Sequence, residues 1–440
     1  MFKKNFRWAM MVFIMLIFFI QFVDRVIISV ATGPMMEEFG LSPSQWGIVL
    51  SAFFWGLVPF GVIAGIAADR FGAKKVFTVG AIWWSLFTAA TAGAFGFVSL
   101  IIARIFFGAG EGPSLSSGVR IVTNWFSPKE YSSALGLAFS AVYLGPALAT
   151  PILAWMIVDY GWRFPFIVMG IVGLIWTFFW HKLFTDRPEA NKRMSKEEKE
   201  WLLQEQGDLA KLATSGEKKS VKDLLTIPKG VRGTMLANMW AFFCVGYALF
   251  FLLTWLPGYL SLERGLDLKS MGFALSVPWI GAALGQAIGG RLSDTIYKRT
   301  NSRRIARAYW TVFWFCILTV SLVLVVQSQT VTGAVVFLTI GAMSLASAAA
   351  PLGAVVAETV PEKAGSMGGL AQVAQTLPGI LAPIITGFIV EATNSFSNAF
   401  YLAAAIIASG VVIVALFSRP PEKLVESSDP VNPAASINVH

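Results

Sequence analysis

The sequence predicts an all-α membrane protein with twelve spanning helices in two pseudo-symmetric bundles of six, and three observations predict it. The 440 residues are 56% hydrophobic and only 13% charged, with mean hydropathy +0.67, where a soluble domain carries about 25% charge. Uncharged apolar runs of the roughly 20 residues needed to cross a bilayer recur along nearly the whole chain. A polar, Lys- and Glu-rich stretch near 185–232 interrupts them once, in the middle. A soluble domain, a disordered chain and a disulfide scaffold are excluded. Cys244 and Cys316 lie in separate apolar runs and read as small core residues without redox or metal roles.

Cutting at Gly, Pro and charge clusters places spans at 8–31, 45–67, 76–95, 98–120, 132–156, 164–184, 233–260, 270–290, 307–327, 331–356, 366–390 and 396–418. Residues 1–184 form the first bundle, 185–232 a linker, 233–418 the second bundle and 419–440 a tail. The first run is too long for a cleavable leader and lacks a small-residue cleavage site, so Lys3, Lys4 and Arg7 read as a cytoplasmic flank. In the linker, Ser195-Lys196-Glu197-Glu198 before Trp201-Leu202-Leu203 has the form of a capping box opening an amphipathic helix at the inner face.

Orientation follows from the 34 Lys and Arg residues: with the N-terminus inside, 29 fall on the cytoplasmic side. Arg163, Arg264 and Lys269 fall outside, and Arg25 and Arg104 lie within spans. This is the positive-inside asymmetry, with both termini cytoplasmic. The net charge of +9 therefore reports topology rather than a nucleic-acid surface.

The halves resemble each other. Gly65-Ile66-Ala67-Ala68-Asp69-Arg70-Phe71-Gly72-Ala73-Lys74-Lys75 follows span 2, and Gly289-Gly290-Arg291-Leu292-Ser293-Asp294 follows span 8. An internal repeat in an all-helical membrane protein is the signature of an alternating-access carrier with its site between the halves.

Ionisable side chains at bilayer depth cost about 2.5–3.5 kcal/mol each on insertion scales and mark functional sites by default. There are four: Asp24 and Arg25 in span 1, Arg104 and Glu111 in span 4. At 1.5 Å per residue, Asp24, Arg25 and Arg104 lie about 6–8 Å outside the midplane and Glu111 about 3 Å inside it. Asp24 and Arg104 are thus at matching depth, and the seven residues from Arg104 to Glu111 put both on one helix face. Two acids and two guanidinium groups balance, which permits mutual neutralisation without a substrate. One reading is a switch in which protonation of Asp24 and Glu111 frees Arg25, and with it Arg104, to hold a carboxylate bidentately. The other is a fixed ion-pair network that joins spans 1 and 4. Spans 7–12 carry no ionisable residue at depth, so Tyr247, Trp255, Gln286, Gln372 and Gln375 are the polar candidates there, with Gln372 expected to be buried.

The segment Gly65 to Lys75 resembles the G-x-x-x-D-R-x-G-R-[RK] loop of the major facilitator superfamily, with Ala73 at a position usually basic. Val23-Asp24-Arg25, Arg104 with Gly108-Ala109-Gly110-Glu111-Gly112-Pro113, Gly161-Trp162-Arg163, Trp255-Leu256-Pro257-Gly258-Tyr259-Leu260, Gly368-Gly369-Leu370, Gly379 and Pro383 resemble its anion:cation symporter family. That resemblance implies a proton-coupled importer of a small carboxylate in the inner membrane, working as a monomer. Asp24 and Glu111 would couple protons, and Arg25 and Arg104 with Tyr247, Gln372 and Gln375 would bind substrate. Asp69, Arg70 and Asp294, at cytoplasmic loops, would latch the inner gate. Departures from the sugar-acid branch stand at Gly56 and Leu57 after Ser51-Ala52-Phe53-Phe54-Trp55, at Val142, and at Ser117 and Gly118. Each removes a partner for a sugar hydroxyl and favours a smaller or more apolar anion. The alternative is a proton-coupled exporter, for which Gly145-Pro146 is a partial motif and Arg25 an obstacle to cations. No nucleophile, metal cluster or phosphate loop is present, His181 and His440 being the only histidines, so no enzyme and no cofactor is expected.

Overall fold

The computed structural model describes residues 6–127, 130–213 and 226–421. The first bundle begins with α1 (Phe6–Val30), followed by the short α2 (Thr32–Phe39), closed by Gly40 at φ +60°. A capping box opens α3 (Pro43–Phe71): Ser42 Oγ accepts the Gln45 amide and the Gln45 side chain accepts the Ser42 amide. Gly72, at φ +90°, turns the chain into α4 (Ala73–Thr91), whose first turn is capped by the Asp186 carboxylate accepting Lys74 N–H at 2.6 Å. There follow α5 (Phe97–Glu111), α6 (Pro113–Trp125), α7 (Tyr131–Tyr160) and α8 (Arg163–Leu183).

The second bundle runs α10 (Arg232–Gly258), α11 (Leu268–Thr300), α12 (Trp310–Gln327), α13 (Val331–Ala349), α14 (Leu352–Thr359), α15 (Ala364–Thr376), α16 (Pro378–Thr393) and α17 (Ser397–Phe417). Between the bundles lies the linker helix α9 (Lys196–Ala213). Among the described residues, ten stretches are long and apolar enough to span a membrane by themselves, and α4 with the broken pair α5–α6 completes twelve.

Three spans expected to be continuous are broken: between α5 and α6 at Gly112-Pro113, between α13 and α14 at Ala350-Pro351, and between α15 and α16 at Leu377-Pro378. Proline lacks the amide hydrogen and clashes with the carbonyl one turn back, so each break falls where the sequence places one. Span 8 runs to Thr300, past the expected 290, and α3 runs to Phe71. Asp294, Asp69 and Arg70 therefore lie in helices rather than loops. The linker also corrects its forecast. Ser195 Oγ accepts the Glu198 amide, but the Glu198 carboxylate turns away from its own cap. It accepts Phe6 N–H, Arg7 N–H and the Arg7 guanidinium, which also binds Glu130 and lies over Trp201. A buried three-residue network thus fastens α9 to the first bundle.

The bundles meet through α1 on α10, α3 on α16 and α7 on α11. At the end remote from the linker the seam is tight. A Cβ at Gly47 or Gly387 would overlap the backbone of the opposite half at Pro383 or Pro43. Ser44 N–H donates to Glu391 at 2.9 Å, Thr150 Oγ1 to the Gly272 carbonyl at 3.1 Å, and Lys269 pairs with Asp159 at 3.3 Å. Toward the linker end the bundles part: α6, α14 and α15 find their main packing partners within their own halves. A methyl group at Gly65, Gly136, Gly353, Gly368 or Gly369 would meet nothing within 4 Å.

Candidate functional site

Along α1, Gln21, Asp24, Arg25 and Ile28 recur at helical spacing on one face, and the proline break after Glu111 sets the end of α5 against that face. Asp24 and Glu111 are each 1% exposed and Arg104 is 4% exposed. Burial this complete means each group must find its stabilisation inside the protein.

Arg25 finds it in Glu111. Its Nε and Nη2 both reach Glu111 Oε2, at 2.7 and 2.6 Å, leaving Glu111 Oε1 buried without a hydrogen-bond partner. Arg104 does not pair with Asp24, although their depths match. Its guanidinium lies 5.1 Å from the Phe53 ring centre and 4.9 Å from that of Phe107, and its Nε has no hydrogen-bond partner. The aromatic faces supply the cation–π contact that a carboxylate would otherwise give. Phe53 also lies 5.0 Å from the Arg25 guanidinium, so one ring serves both cations. Both oxygens of Asp24 are buried without a hydrogen-bond partner.

Two polar residues absent from the sequence reading complete the cluster. Gln21 donates to Ser114 Oγ, which donates to the Glu111 carbonyl at 2.6 Å and so ties α1 across the proline break. The available signal was an amide in an apolar helix one turn before Asp24 and Arg25. A small cavity between the halves is lined by Arg25, Arg104, Ser29, Leu50 and Phe54 from the first half and by Leu253 and Thr254 from the second. Phe54 walls it on the side away from the tight end: its ring stands edge-on to Phe250 at 4.6 Å and fills the notch left by Gly379.

The second-half candidates are less concentrated. Tyr247 is buried on α10. Gln375 meets α10 through its backbone, where Gly246 leaves room for the carbonyl. Gln372 corrects its forecast: it is exposed, with its amide 3.5 Å from Thr376 on its own helix, because that face of α15 lies on the parted side. Trp255 is a strut, donating to the Pro383 carbonyl at 3.0 Å. Among the gating candidates, Asp294 accepts from Arg307 at 2.7 Å, and Arg307 also binds Glu358 at 2.8 Å, all within the second half. Arg70 is exposed with its guanidinium over Phe71. The side chain of Asp69 lies outside the described residues.

The Major Facilitator Superfamily model matches residues 14–383. The chain belongs to the major facilitator superfamily. It is 34% identical over 423 residues to a hexuronate transporter of Bacillus subtilis, covering 96% of each chain. A probable sulfoacetate transporter of Cupriavidus necator is 32% identical, with 92% of each chain covered. A bacterial homologue of the human lysosomal transporter Spinster, in an inward-facing and occupied conformation, shares the fold with a TM-score of 0.70 at 18% identity, covering 94% of this chain and 96% of its own. This major facilitator is thus a multi-pass membrane transporter rather than an enzyme, and the charged side chains that line its inter-bundle cavity, Arg25 and Arg104, both come from the first half.

Proposed function

We propose that the protein imports a small organic anion together with protons, by alternating access, as a monomer in the inner membrane with its linker end in the cytoplasm. The observation that carries this is the buried Arg25–Glu111 pair at the edge of the inter-bundle cavity, beside an Asp24 with no hydrogen-bond partner. Arginine keeps its proton, so the carboxylates are the groups that change charge. Protonating Glu111 removes the charge that holds Arg25, and the freed guanidinium takes the carboxylate of the substrate bidentately. With the linker end open, loss of that proton to the cytoplasm restores the pair and displaces the anion. Asp24 is the second proton carrier, and Arg104, held by Phe53 and Phe107, is the second positive charge facing the cavity.

The relatives named above are named for anions, hexuronate and sulfoacetate. The cavity wall favours the compact kind. Leu50, Phe54 and Leu253 offer nothing to a sugar hydroxyl, and Ser29 and Thr254 are its neutral polar side chains. Tyr247 and Gln375 would join the site as the second half closes; Asp69, Arg70 and Asp294 would latch the linker end in the opposite state.

The test is uptake into proteoliposomes after a thermal-shift screen of carboxylates and sulfonates. An acidic exterior should drive accumulation of the anion that stabilises the protein. Glu111→Gln should retain binding and exchange while losing proton-driven accumulation; full accumulation by that variant would remove Glu111 from the coupling path.

A further inference from the structure

Away from the inter-bundle cavity, the outer face of the first half carries a groove of about 400 Å³ between α3, α4 and α5. Its lining is almost wholly apolar, with Phe60, Ala67 and Phe71 on one side and Val79 and Trp83 on the other. The groove exists because the helices approach at glycines. A Cβ at Gly80 would fall 2.8 Å from the Gly110 carbonyl, and one at Gly110 would fall 2.6 Å from the Trp83 ring. Trp83 is fixed by donating its indole N–H to the Phe106 carbonyl at 2.8 Å, which leaves its apolar edge to the groove.

One end of the groove is charged. Lys75 lines it, and its Nζ is 5.9 Å from the Phe71 ring centre; the Arg70 guanidinium is 5.4 Å from the same ring. Both side chains are exposed. From Lys75 to Trp83 the groove follows α4 for about 12 Å at 1.5 Å per residue, with no polar side chain between them on its wall. A bilayer-facing slot of this length, apolar along its course and doubly cationic at its mouth, has the chemistry of an acyl chain below an anionic headgroup.

We propose that this groove binds an anionic glycerophospholipid, its phosphate between Arg70 and Lys75 and one acyl chain running past Phe71 and Val79 to Trp83. The occupant is a lipid because the face lies within the span, and an anionic one because the described residues that line the groove include a lysine and no acidic side chain, the nearby Asp186 carboxylate being engaged by the Lys74 N–H. A lipid held there would brace α3 against α4 at the parted end of the molecule.

The test uses the full chain, delipidated in detergent, and phosphatidylglycerol or phosphatidylcholine with identical brominated acyl chains, which quench nearby tryptophan. The Trp83 contribution is the difference between the wild type and Trp83→Phe. Half-quenching of that contribution should need at least about five-fold less phosphatidylglycerol than phosphatidylcholine. Lys75→Ala should raise the phosphatidylglycerol requirement about five-fold, and adding Arg70→Ala should raise it further, to the phosphatidylcholine value. Ala67→Phe, which fills the slot without touching charge, should abolish the Trp83 quenching by either lipid at low concentration. Equal requirements for the two lipids in the wild type, or a Lys75→Ala curve that overlays the wild type, would overturn the proposal. Inorganic phosphate at the same concentrations should leave the quenching unchanged; competition by it would show a headgroup site without a chain and would equally overturn it.

Discussion

Asp24, Arg25, Arg104 and Glu111 all come from α1 and α5 of the first half, whereas the second half meets the same cavity with Leu253 and Thr254. The two networks nearer the linker end follow the same rule. Arg7, Glu130 and Glu198 bind within the first half and its attached linker, and Arg307, Asp294 and Glu358 bind within the second. Breaking a buried ion pair by removing one partner costs about 3–5 kcal/mol. A carrier that split its buried pairs across the seam would meet that cost each time the seam opened. Confining each pair to one half lets the bundles part while the charges stay compensated, and leaves the seam to exposed contacts such as Lys269–Asp159, whose side chains are 53% and 36% accessible and worth little each.

The largest expected effect breaks the charged half. Arg25→Ala leaves Glu111 buried with no cation bonded to it, and anion affinity in a thermal-shift or calorimetric titration should fall at least about 100-fold. An unchanged affinity would relocate the binding charge and dissolve the contrast between the halves. Next comes the shape of the neutral half. Gly379→Ala places a methyl group inside the Phe54 ring, an overpacking of about 1–3 kcal/mol. It should shift the population toward the state parted at the tight end, read as faster labelling of a cysteine placed at Ser44, and Phe54→Leu should reverse it. Should labelling stay slow in Gly379→Ala, the contact of Phe54 with Gly379 does not help to hold the tight end closed.

A smaller effect is expected at Thr254, the neutral polar group of the second half on the cavity. Thr254→Val should weaken anion binding about two- to ten-fold, the range of a neutral hydrogen bond, without altering the pH dependence of uptake. A shift in that pH dependence would show that the second half shares the proton chemistry.

The smallest concerns Glu38, which joins α2 to α8 by accepting from Arg163 and from the Trp162 indole. The Arg163 and then the Trp162 hydrogen bond hold the Glu38 carboxyl below its ordinary 4.5. A lowered folded value means the stabilisation is fully present above about 4.5 and is lost as pH falls through the folded value. Glu38→Gln should therefore melt slightly lower than the wild type at pH 7, and the two curves should converge in acid. A gap that persists in acid would assign the effect to packing.

Much of this was legible in residue order. Apolar run length gives the number of the spans, because a bilayer demands about 20 apolar residues per crossing. The high cost of charge at depth singles out Asp24, Arg25, Arg104 and Glu111, since nothing but function or pairing retains such residues there. Pro113, Pro351 and Pro378 likewise mark the breaks, although reading whole spans by hydropathy alone hides them.

Who pairs with whom was decided only in three dimensions. Depth along a helix axis places Arg104 level with Asp24, but depth says nothing of azimuth or of what lies between. The Phe53 ring, brought from α3, takes up both guanidinium groups and leaves Glu111 to Arg25. The same holds for Glu198, which its own sequence assigns to a local cap and the fold assigns to Arg7, 191 positions away. Exposure of Gln372 and insertion of Phe54 at Gly379 depend on which end of the seam is closed, a property of two packed bundles. Hydropathy and charge act along the chain and are read from it; a buried side chain takes whichever partner the packing of distant helices brings within about 3 Å.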